Sequence, residues 1–297
     1  MVRMVSRVEV AIRSEALLGE CPRWDPLARR LLWVDIEGRA LHIADPVRGE
    51  DRSIPLWSRV GAASWTTSAT TVLVALADRL ALLELEDGSI RTLVEVPHAG
   101  HMRMNDGACD AAGRFWVGSM ALAETAGVAA LYRYADGALA RVLDGVTLSN
   151  GLGWSPDGSR MYYVDSLAFR IDVFDFDVVA GTIANRRPFV TVDRADGTPD
   201  GLAVDDEGGV WLALWGGRAV RRYSDDGSLD RVVDVPALNV TACGFGGDDR
   251  RSLFITTAAP DGSVFVTDAG VAGPAPHAFQ IDGSSTAPSD AEPTSAR

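Results

Sequence analysis

Three short segments of the chain each place an oxygen-bearing side chain beside a glycine-containing turn that leads into a short apolar run. The segments begin at residues 104, 149 and 198, a nearly constant spacing, and they carry Asn105, Asn150 and Asp200. A further carboxylate, Glu20, precedes another short strand near the N-terminus. Carboxylate and amide oxygens are the ligands that hard divalent cations prefer. If the fold brings these side chains together, they predict a site for Ca²⁺, Mg²⁺ or Mn²⁺. Zn²⁺ and Fe²⁺ remain open, although no histidine or cysteine cluster favours them.

The opposing interpretation is that these residues are ordinary turn formers. Asn and Asp tolerate left-handed backbone conformations and bond to the local main chain, so they are common before glycine. We prefer that interpretation for three residues in plain Asp-Gly turns, namely Asp106, Asp157 and Asp226. It is weaker for Glu20, Asn150 and Asp200, because we expect them to occupy the same register in three repeats.

The elements that must position these residues are strands. Short β-type runs broken by Gly, Asp and Pro fill the chain, and helical periodicity is scarce. Six well-defined strand signals recur, at residues 30–35, 71–76, 114–118, 161–165, 209–213 and 252–256. Each follows a shorter glycine-rich strand and precedes a third strand. This spacing matches a four-stranded propeller blade, so the sequence predicts an all-β, six-bladed β-propeller.

The two ends of the chain have different predicted roles. The run at residues 7–13 has no blade of its own, and we expect it to pair with the last blade and close the ring. A single domain is predicted over residues 1–282. Residues 283–297 are rich in Ser, Thr, Ala and Pro and are predicted to form a disordered tail.

The propeller geometry would gather the polar residues. The first strand of each blade lines the central channel, and the residues at the start of those strands converge at one mouth. Five of the six positions are polar, namely Glu20, Asn105, Asn150, Asp200 and Thr241, and the second blade contributes Gly61.

The composition and net charge of the chain argue against two classes of binding partner. The chain has 297 residues, a hydrophobic fraction of 47% and a formal net charge of −13. Nucleic acids and anionic lipids require a basic surface, so we expect neither as a partner. The three cysteines show no disulfide or CxxC spacing, and no apolar run has the length of a signal peptide or a membrane span. We therefore expect a cytoplasmic monomer or weak homodimer.

An ordered set of motifs covers nearly the whole chain. It comprises Leu-Gly-Glu-Cys-Pro-Arg-Trp at residues 18–24, Arg-Met-Asn-Asp-Gly at 103–107, Gly-Arg-Phe-Trp-Val-Gly-Ser-Met at 113–120, Ser-Asn-Gly-Leu-Gly-Trp at 149–154 and Pro-Asp-Gly at 199–201. In this set the sequence resembles the SMP-30/gluconolactonase/regucalcin-like family of six-bladed propellers. No single motif is specific, but the ordered set is.

The resemblance implies a function and a role for each site residue. It implies one divalent metal ion held by Glu20, Asn150 and Asp200. It also implies a substrate-contacting pair, Arg103 and Asn105, and a further glutamate that maps most naturally onto Glu124, although one extra residue precedes it. The implied reaction is hydrolysis of a sugar lactone to the open aldonic acid, with Asp200 our choice as general base.

Two alternatives remain at this stage. The first is a non-enzymatic calcium-binding or regulatory propeller, which would keep the metal ligands but need no substrate groups. The second is an interaction scaffold, whose channel would hold no ordered metal ion and no set of polar residues in register.

Overall fold

The computed structural model describes residues 3–4 and 7–281. Its strands are β1 (Arg3–Met4), β2 (Glu9–Ile12), β3 (Gly19–Asp25), β4 (Arg30–Asp35), β5 (Ala40–Asp45), β6 (Glu50–Pro55), β7 (Val60–Trp65), β8 (Thr71–Leu76), β9 (Arg79–Glu84), β10 (Ile90–Glu95), β11 (Met102–Cys109), β12 (Phe115–Ala121), β13 (Ala129–Ala135), β14 (Ala138–Val146), β15 (Ser149–Trp154), β16 (Arg160–Asp165), β17 (Arg170–Asp177), β18 (Thr182–Thr191), β19 (Thr198–Val204), β20 (Val210–Trp215), β21 (Ala219–Tyr223), β22 (Leu229–Asp234), β23 (Val240–Gly246), β24 (Ser252–Thr257) and β25 (Val264–Asp268).

These strands form six antiparallel sheets, which confirms the predicted six-bladed β-propeller. Blades one to five are the consecutive quartets β3–β6, β7–β10, β11–β14, β15–β18 and β19–β22, and the sixth contains β23, β24, β25 and β2. The first strand of each blade packs against the first strand of the next, and β23 packs against β3. These six strands therefore surround a central channel, and we call them the inner strands.

The ring closes through the N-terminal strand, as predicted. Strand β2 pairs antiparallel with β25, with Glu9 opposite Val266 and Val10 opposite Phe265. One feature was not predicted: β1 pairs in parallel with β22 and adds a fifth strand to the fifth blade. The predicted tail at residues 283–297 lies outside the described residues.

The blades are held together by buried faces between neighbouring sheets. The second strand of a blade is buried on both faces, and its tryptophan in blades one, three and five (Trp33, Trp116 and Trp211) has no exposed surface. Trp116 Nε1 donates to Asp110 at 2.8 Å, and Trp211 Nε1 donates to Asp205 at 2.7 Å. These aspartates also accept main-chain N–H groups of the hairpin turns, so each one ties an inner strand to its neighbour.

Every inner strand carries a one-residue β-bulge in its first half. The regular pairing is interrupted between Glu20 and Arg23, Val60 and Ala62, Met104 and Gly107, Ser149 and Leu152, Pro199 and Leu202, and Val240 and Ala242. A bulge leaves a residue outside the ladder and re-aims its side chain. The fold therefore has six equivalent points at which a side chain can turn toward the axis.

The segment after β25 runs from the sixth blade to the second. Asp206 N bonds Ala272 O at 2.9 Å, and Phe279 N bonds Trp65 O at 2.8 Å. Phe279 is buried and lies 5.9 Å from the Tyr134 ring between the centroids. Among the described residues the helices are two three-residue 3₁₀ turns, and none is long and apolar enough to span a membrane.

Candidate active site

All six residues selected from the sequence line one cavity at one mouth of the channel. Its volume is about 310 Å³. Its lining includes Glu20, Arg103, Asn105, Glu124, Asn150 and Asp200. We call it the upper cavity. The structure thus brings together residues from the inner strands of blades one, three, four and five, and Glu124 from the loop after β12.

The bulges explain how three of these side chains reach the axis. Asn105, Asn150 and Asp200 all lie in the interrupted part of their inner strands. Gly151 and Gly201 follow two of them. A Cβ on Gly201 would lie 2.5 Å from the Cβ of Ala242, so this close approach of neighbouring strands requires glycine.

Glu20 and Asn150 share a register, as expected. Each follows a residue that lies opposite the last aspartate of the second strand, Gly19 opposite Asp35 and Ser149 opposite Asp165. The bulge of β3 begins one residue later than that of β15, so Glu20 itself still pairs with Val34. Cys21, which follows it, has a φ of 55°, and the Glu20 side chain bends so that Oε2 accepts from Cys21 N at 3.2 Å.

The predicted contribution of Thr241 was also wrong. Thr241 lies in the bulge of β23, but it is completely buried and does not line the cavity. Its hydroxyl donates to Gly19 O at 2.5 Å and lies 2.9 Å from the Thr256 hydroxyl. Thr241 therefore holds blade six against blade one.

Two buried aspartates fix the chain just before the site residues. Asp35 accepts from the N–H groups of Leu17 and Leu18 at 2.9 and 3.0 Å, immediately before Glu20. Asp165 accepts from Thr147 N and Leu148 N at 3.1 and 3.0 Å, immediately before Asn150. Each aspartate is the last residue of the second strand of its blade. The same position in two repeats therefore fixes the backbone before Glu20 and before Asn150.

Arg103 and Asn105 form a positioned pair. Arg103 is 6% exposed, and its Nη1 donates to Asn105 Oδ1 at 2.5 Å and to Met104 O at 3.0 Å. Asn105 Nδ2 donates to Ser149 O at 2.7 Å. The guanidinium is therefore held at the wall of the cavity before any ligand arrives, which lowers the entropy cost of binding.

Two side-chain oxygens of the site are unpartnered. Asn150 Nδ2 donates to Ser166 Oγ at 3.0 Å, but Asn150 Oδ1 and Asp200 Oδ1 are buried with no hydrogen-bond partner. A buried acceptor without a partner costs free energy, and such atoms in native structures mark a missing water, ion or ligand. Both are hard oxygen ligands, so they fit a divalent cation.

The charges of the site also favour a bound cation. Burial raises the pKa of Glu20 well above its ordinary value, and the charges of Asp200 and Asp106 raise it further. Burial likewise raises the pKa of Asp200, and Asp106 adds to the effect. Negative groups are thus crowded where little water can screen them, and a cation between them would relieve the repulsion.

Asp106 is the residue that sequence reasoning missed. It was interpreted as a plain turn residue, but it is 4% exposed and lies inside the bulge of β11. Its Oδ1 accepts from Gly107 N at 2.7 Å and lies 3.7 Å from Arg23 Nη2. The available signal was its position next to Asn105 in a repeated motif, because a bulge can place two successive polar side chains near the axis.

Two further residues border the upper cavity. Glu124 stands on the exposed rim with a φ of 52° and follows a turn in which its N–H bonds Ala121 O at 2.9 Å. Trp215, at the end of β20, lines the cavity and is 39% exposed. In the described part of the chain, no three histidine, cysteine or acidic side chains are grouped so that they could hold a metal ion by themselves. Any metal here would need the Asn150 amide oxygen as well.

Known proteins resemble this chain over most of its length. The L-arabinolactonase of Azospirillum brasilense is 38% identical over 245 residues, covering 81% of this chain and 81% of the relative. The regucalcin of Danio rerio is 36% identical over 256 residues, covering 85% of this chain and 86% of the relative. The crystal structure of a calcium-binding protein, regucalcin, from Agrobacterium tumefaciens superposes with a TM-score of 0.90 at 26% identity, covering 95% of this chain and 100% of that one.

The family expected from the motifs is confirmed. Residues 18–259 match the family described as "SMP-30/Gluconolactonase/LRE-like region". This match spans the inner strands of all six blades. The chain belongs to the SMP-30/gluconolactonase/LRE-like family.

Proposed function

We propose that this chain is a divalent-metal-dependent lactonase that hydrolyses a sugar lactone to the corresponding aldonic acid. One observation carries the proposal: a single cavity combines unpartnered, cation-type oxygens with a positioned Arg103–Asn105 pair. A site that only stored a cation would gain nothing from a buried guanidinium beside it. The names of related lactonases support the same reaction class.

Glu20, Asn150 and Asp200 would hold one metal ion. Their oxygen-only donor set favours Ca²⁺, Mg²⁺ or Mn²⁺, and leaves Zn²⁺ and Fe²⁺ open. When bound, such an ion supplies positive charge that stabilises negative charge developing on the lactone carbonyl oxygen.

Side chains of this protein would orient the substrate and transfer the proton. Asp200, whose raised pKa makes its carboxylate a stronger base, takes a proton from the attacking water. The water oxygen bonds to the acyl carbon, the bond from that carbon to the ring oxygen breaks, and the ring oxygen leaves as a hydroxyl group that receives the proton. Arg103 and Asn105 orient substrate oxygens, and Glu124 contacts a substrate hydroxyl at the rim.

The second candidate is a calcium-binding propeller without catalysis. It is favoured by the relatives named regucalcin, one of which is described as a calcium-binding protein. It would use the same three metal ligands. It gives no role to the pairing of Arg103 with Asn105, and for that reason we place it second.

One experiment separates the two. The full-length protein is stripped with EDTA, and five- and six-membered aldonolactones are assayed by acid release before and after Ca²⁺, Mg²⁺, Mn²⁺ or Zn²⁺ is restored. Calorimetry measures metal binding in parallel. Turnover that disappears with EDTA and returns with a metal supports the lactonase. Metal binding without turnover of any lactone or ester supports the calcium-binding alternative, and turnover unaffected by EDTA would overturn the metal dependence.

A further inference from the structure

A second cavity lies where the six inner strands end, at the opposite mouth of the channel. Its volume is also about 310 Å³, and it shares no lining residue with the upper cavity. Every inner strand contributes to its wall, and the segment of residues 274–277 forms part of its exposed rim. We call it the lower cavity. Cavities of this size at the axis of a closed β-fold are common positions for small ligands.

The wall of the lower cavity is dominated by aromatic rings. Trp24, Trp65 and Trp154 come from the inner strands of blades one, two and four, and Phe245 comes from blade six. Neighbouring rings hold them in place: Trp24 stacks on Phe254 at 5.6 Å, and Trp154 lies 6.2 Å from Trp116, measured between ring centroids. Rigid aromatic faces favour a flat, apolar ligand body.

One exposed cationic side chain lies on this wall. Arg23 keeps 23% of its side chain exposed, and its Nη2 donates to Gly107 O at 2.9 Å while its nearest carboxylate, Asp106, stays 3.7 Å away. The Arg23 charge is therefore only loosely compensated.

The acidic residues of the lower cavity do not neutralise the Arg23 charge. Asp205 has no exposed surface, and its carboxylate accepts from Trp211 Nε1 and Arg222 Nε at 2.7 Å each. Asp206 lies 3.3 Å from Arg250. Both carboxylates are already paired, so the group left to attract a charged ligand is the Arg23 guanidinium.

We propose that the lower cavity is a second ligand site, which binds a small planar aromatic carboxylate. The ligand's ring packs between the tryptophan faces, and its carboxylate accepts hydrogen bonds from Arg23. A sugar lactone suits this cavity poorly, because its hydroxyl groups would find mostly apolar wall. The proposed site does not overlap the proposed lactonase site, since no lining residue is common to both cavities.

The test uses 2-naphthoate as probe and 2-naphthamide as its uncharged counterpart, titrated into the full-length protein. Calorimetry and the fluorescence of the cavity tryptophans measure binding. We expect saturable, one-to-one binding of the naphthoate, with the naphthamide roughly tenfold weaker, the scale of one lost charge-assisted hydrogen bond. Equal affinities for the two probes, or no saturable binding, would overturn the proposal.

Three variants locate the site. Ala203→Leu adds volume to the wall of the lower cavity and should abolish naphthoate binding, whereas Arg23→Lys keeps the charge but loses the planar fork and should weaken it. Trp215→Ala alters only the upper cavity and should leave naphthoate affinity unchanged. Thermal melts confirm that each variant is folded. Wild-type affinity in a folded Ala203→Leu protein, or lost affinity in Trp215→Ala, would place the probe elsewhere and refute the lower cavity as its site.

Discussion

Replacing Asp200 by Asn should move activity and metal-free stability in opposite directions. The substitution keeps the shape of the side chain but removes one of three buried acidic groups. Burial, and then repulsion from neighbouring carboxylates, raises the pKa values of Glu20 and Asp200. A buried carboxylate whose pKa is raised prefers its protonated form. In the metal-free protein at neutral pH, its ionised form therefore opposes folding. The neutral amide removes that cost, and it also removes the metal ligand and the proposed base.

The size of each effect follows from the surroundings of Asp200, which is 6% exposed. Without metal, removing a buried charge that has one unpartnered oxygen should stabilise the fold by about 1–3 kcal/mol, which raises Tm by roughly 2–6 °C. With a metal at a thousand times its Kd, the wild type gains about 4 kcal/mol, roughly 8 °C, while the variant gains nothing. The order of the two melting temperatures should therefore reverse when metal is added. Loss of the general base should lower kcat by about 10²–10⁴-fold.

The assay is a pair of thermal melts, in EDTA and in saturating metal, combined with lactone turnover. Asp226→Asn is the matched control: the same substitution in the same blade, at an exposed turn where the carboxylate accepts from Ser228 N. It should change neither Tm nor turnover. Full turnover by Asp200→Asn would refute its role in the reaction. A metal-induced rise in Tm equal to that of the wild type would refute its role as a ligand.

Three other outcomes are expected. Arg103→Lys should lower kcat/KM by about 10–100-fold. Nη1 alone donates to Asn105 Oδ1 and Met104 O, so a lysine ammonium that kept those two bonds would leave no second nitrogen for the substrate; steady-state kinetics would show a smaller loss if the charge alone mattered. Trp215→Ala should raise KM by roughly tenfold with little change in kcat, because the sugar ring loses an apolar face to pack on. Trp215→Phe should bring KM most of the way back to the wild-type value. Trp57→Ala, at an exposed tryptophan outside both cavities, is the control. Burial raises the pKa of Cys21 to about 11 and of Cys109 and Cys243 to about 12, so iodoacetamide at pH 8 should label all three thiols only after unfolding; rapid labelling of the folded protein would contradict that burial.

The blade count and the closure of the ring could be predicted because they rest on local signals. Each second strand is a continuous apolar run, as at Thr71–Leu76, and each run follows a turn. The unassigned run that became β2 was expected to pair with the last blade, which has only three strands of its own. Four of the five family motifs lie on inner strands, so residues that line the upper cavity could be selected from the sequence.

What escaped prediction depends on pairing between distant strands. A bulge is defined by the partner strand, so the sequence of β3 does not show that Glu20 precedes its bulge while Asp200 lies inside one. The same limit applied to Asp106, where an Asp-Gly pair inside a bulge looks identical to one in a surface turn. Thr241 was misplaced because its hydroxyl satisfies Gly19 O across the closing seam of the ring.

The pairing of β2 with β25 sets an order of events during synthesis. Strand β2 is synthesised before any complete blade, yet its partner Val264–Asp268 follows about two hundred and fifty residues later. Until then Ile12, which has no exposed surface in the finished protein, lacks Val264 of its buried cluster, and β2 has no strand to pair with. A chain that stops short of β25 cannot close. Ring closure therefore separates chains that contain β25 from chains that lack it, because only the former pair this edge.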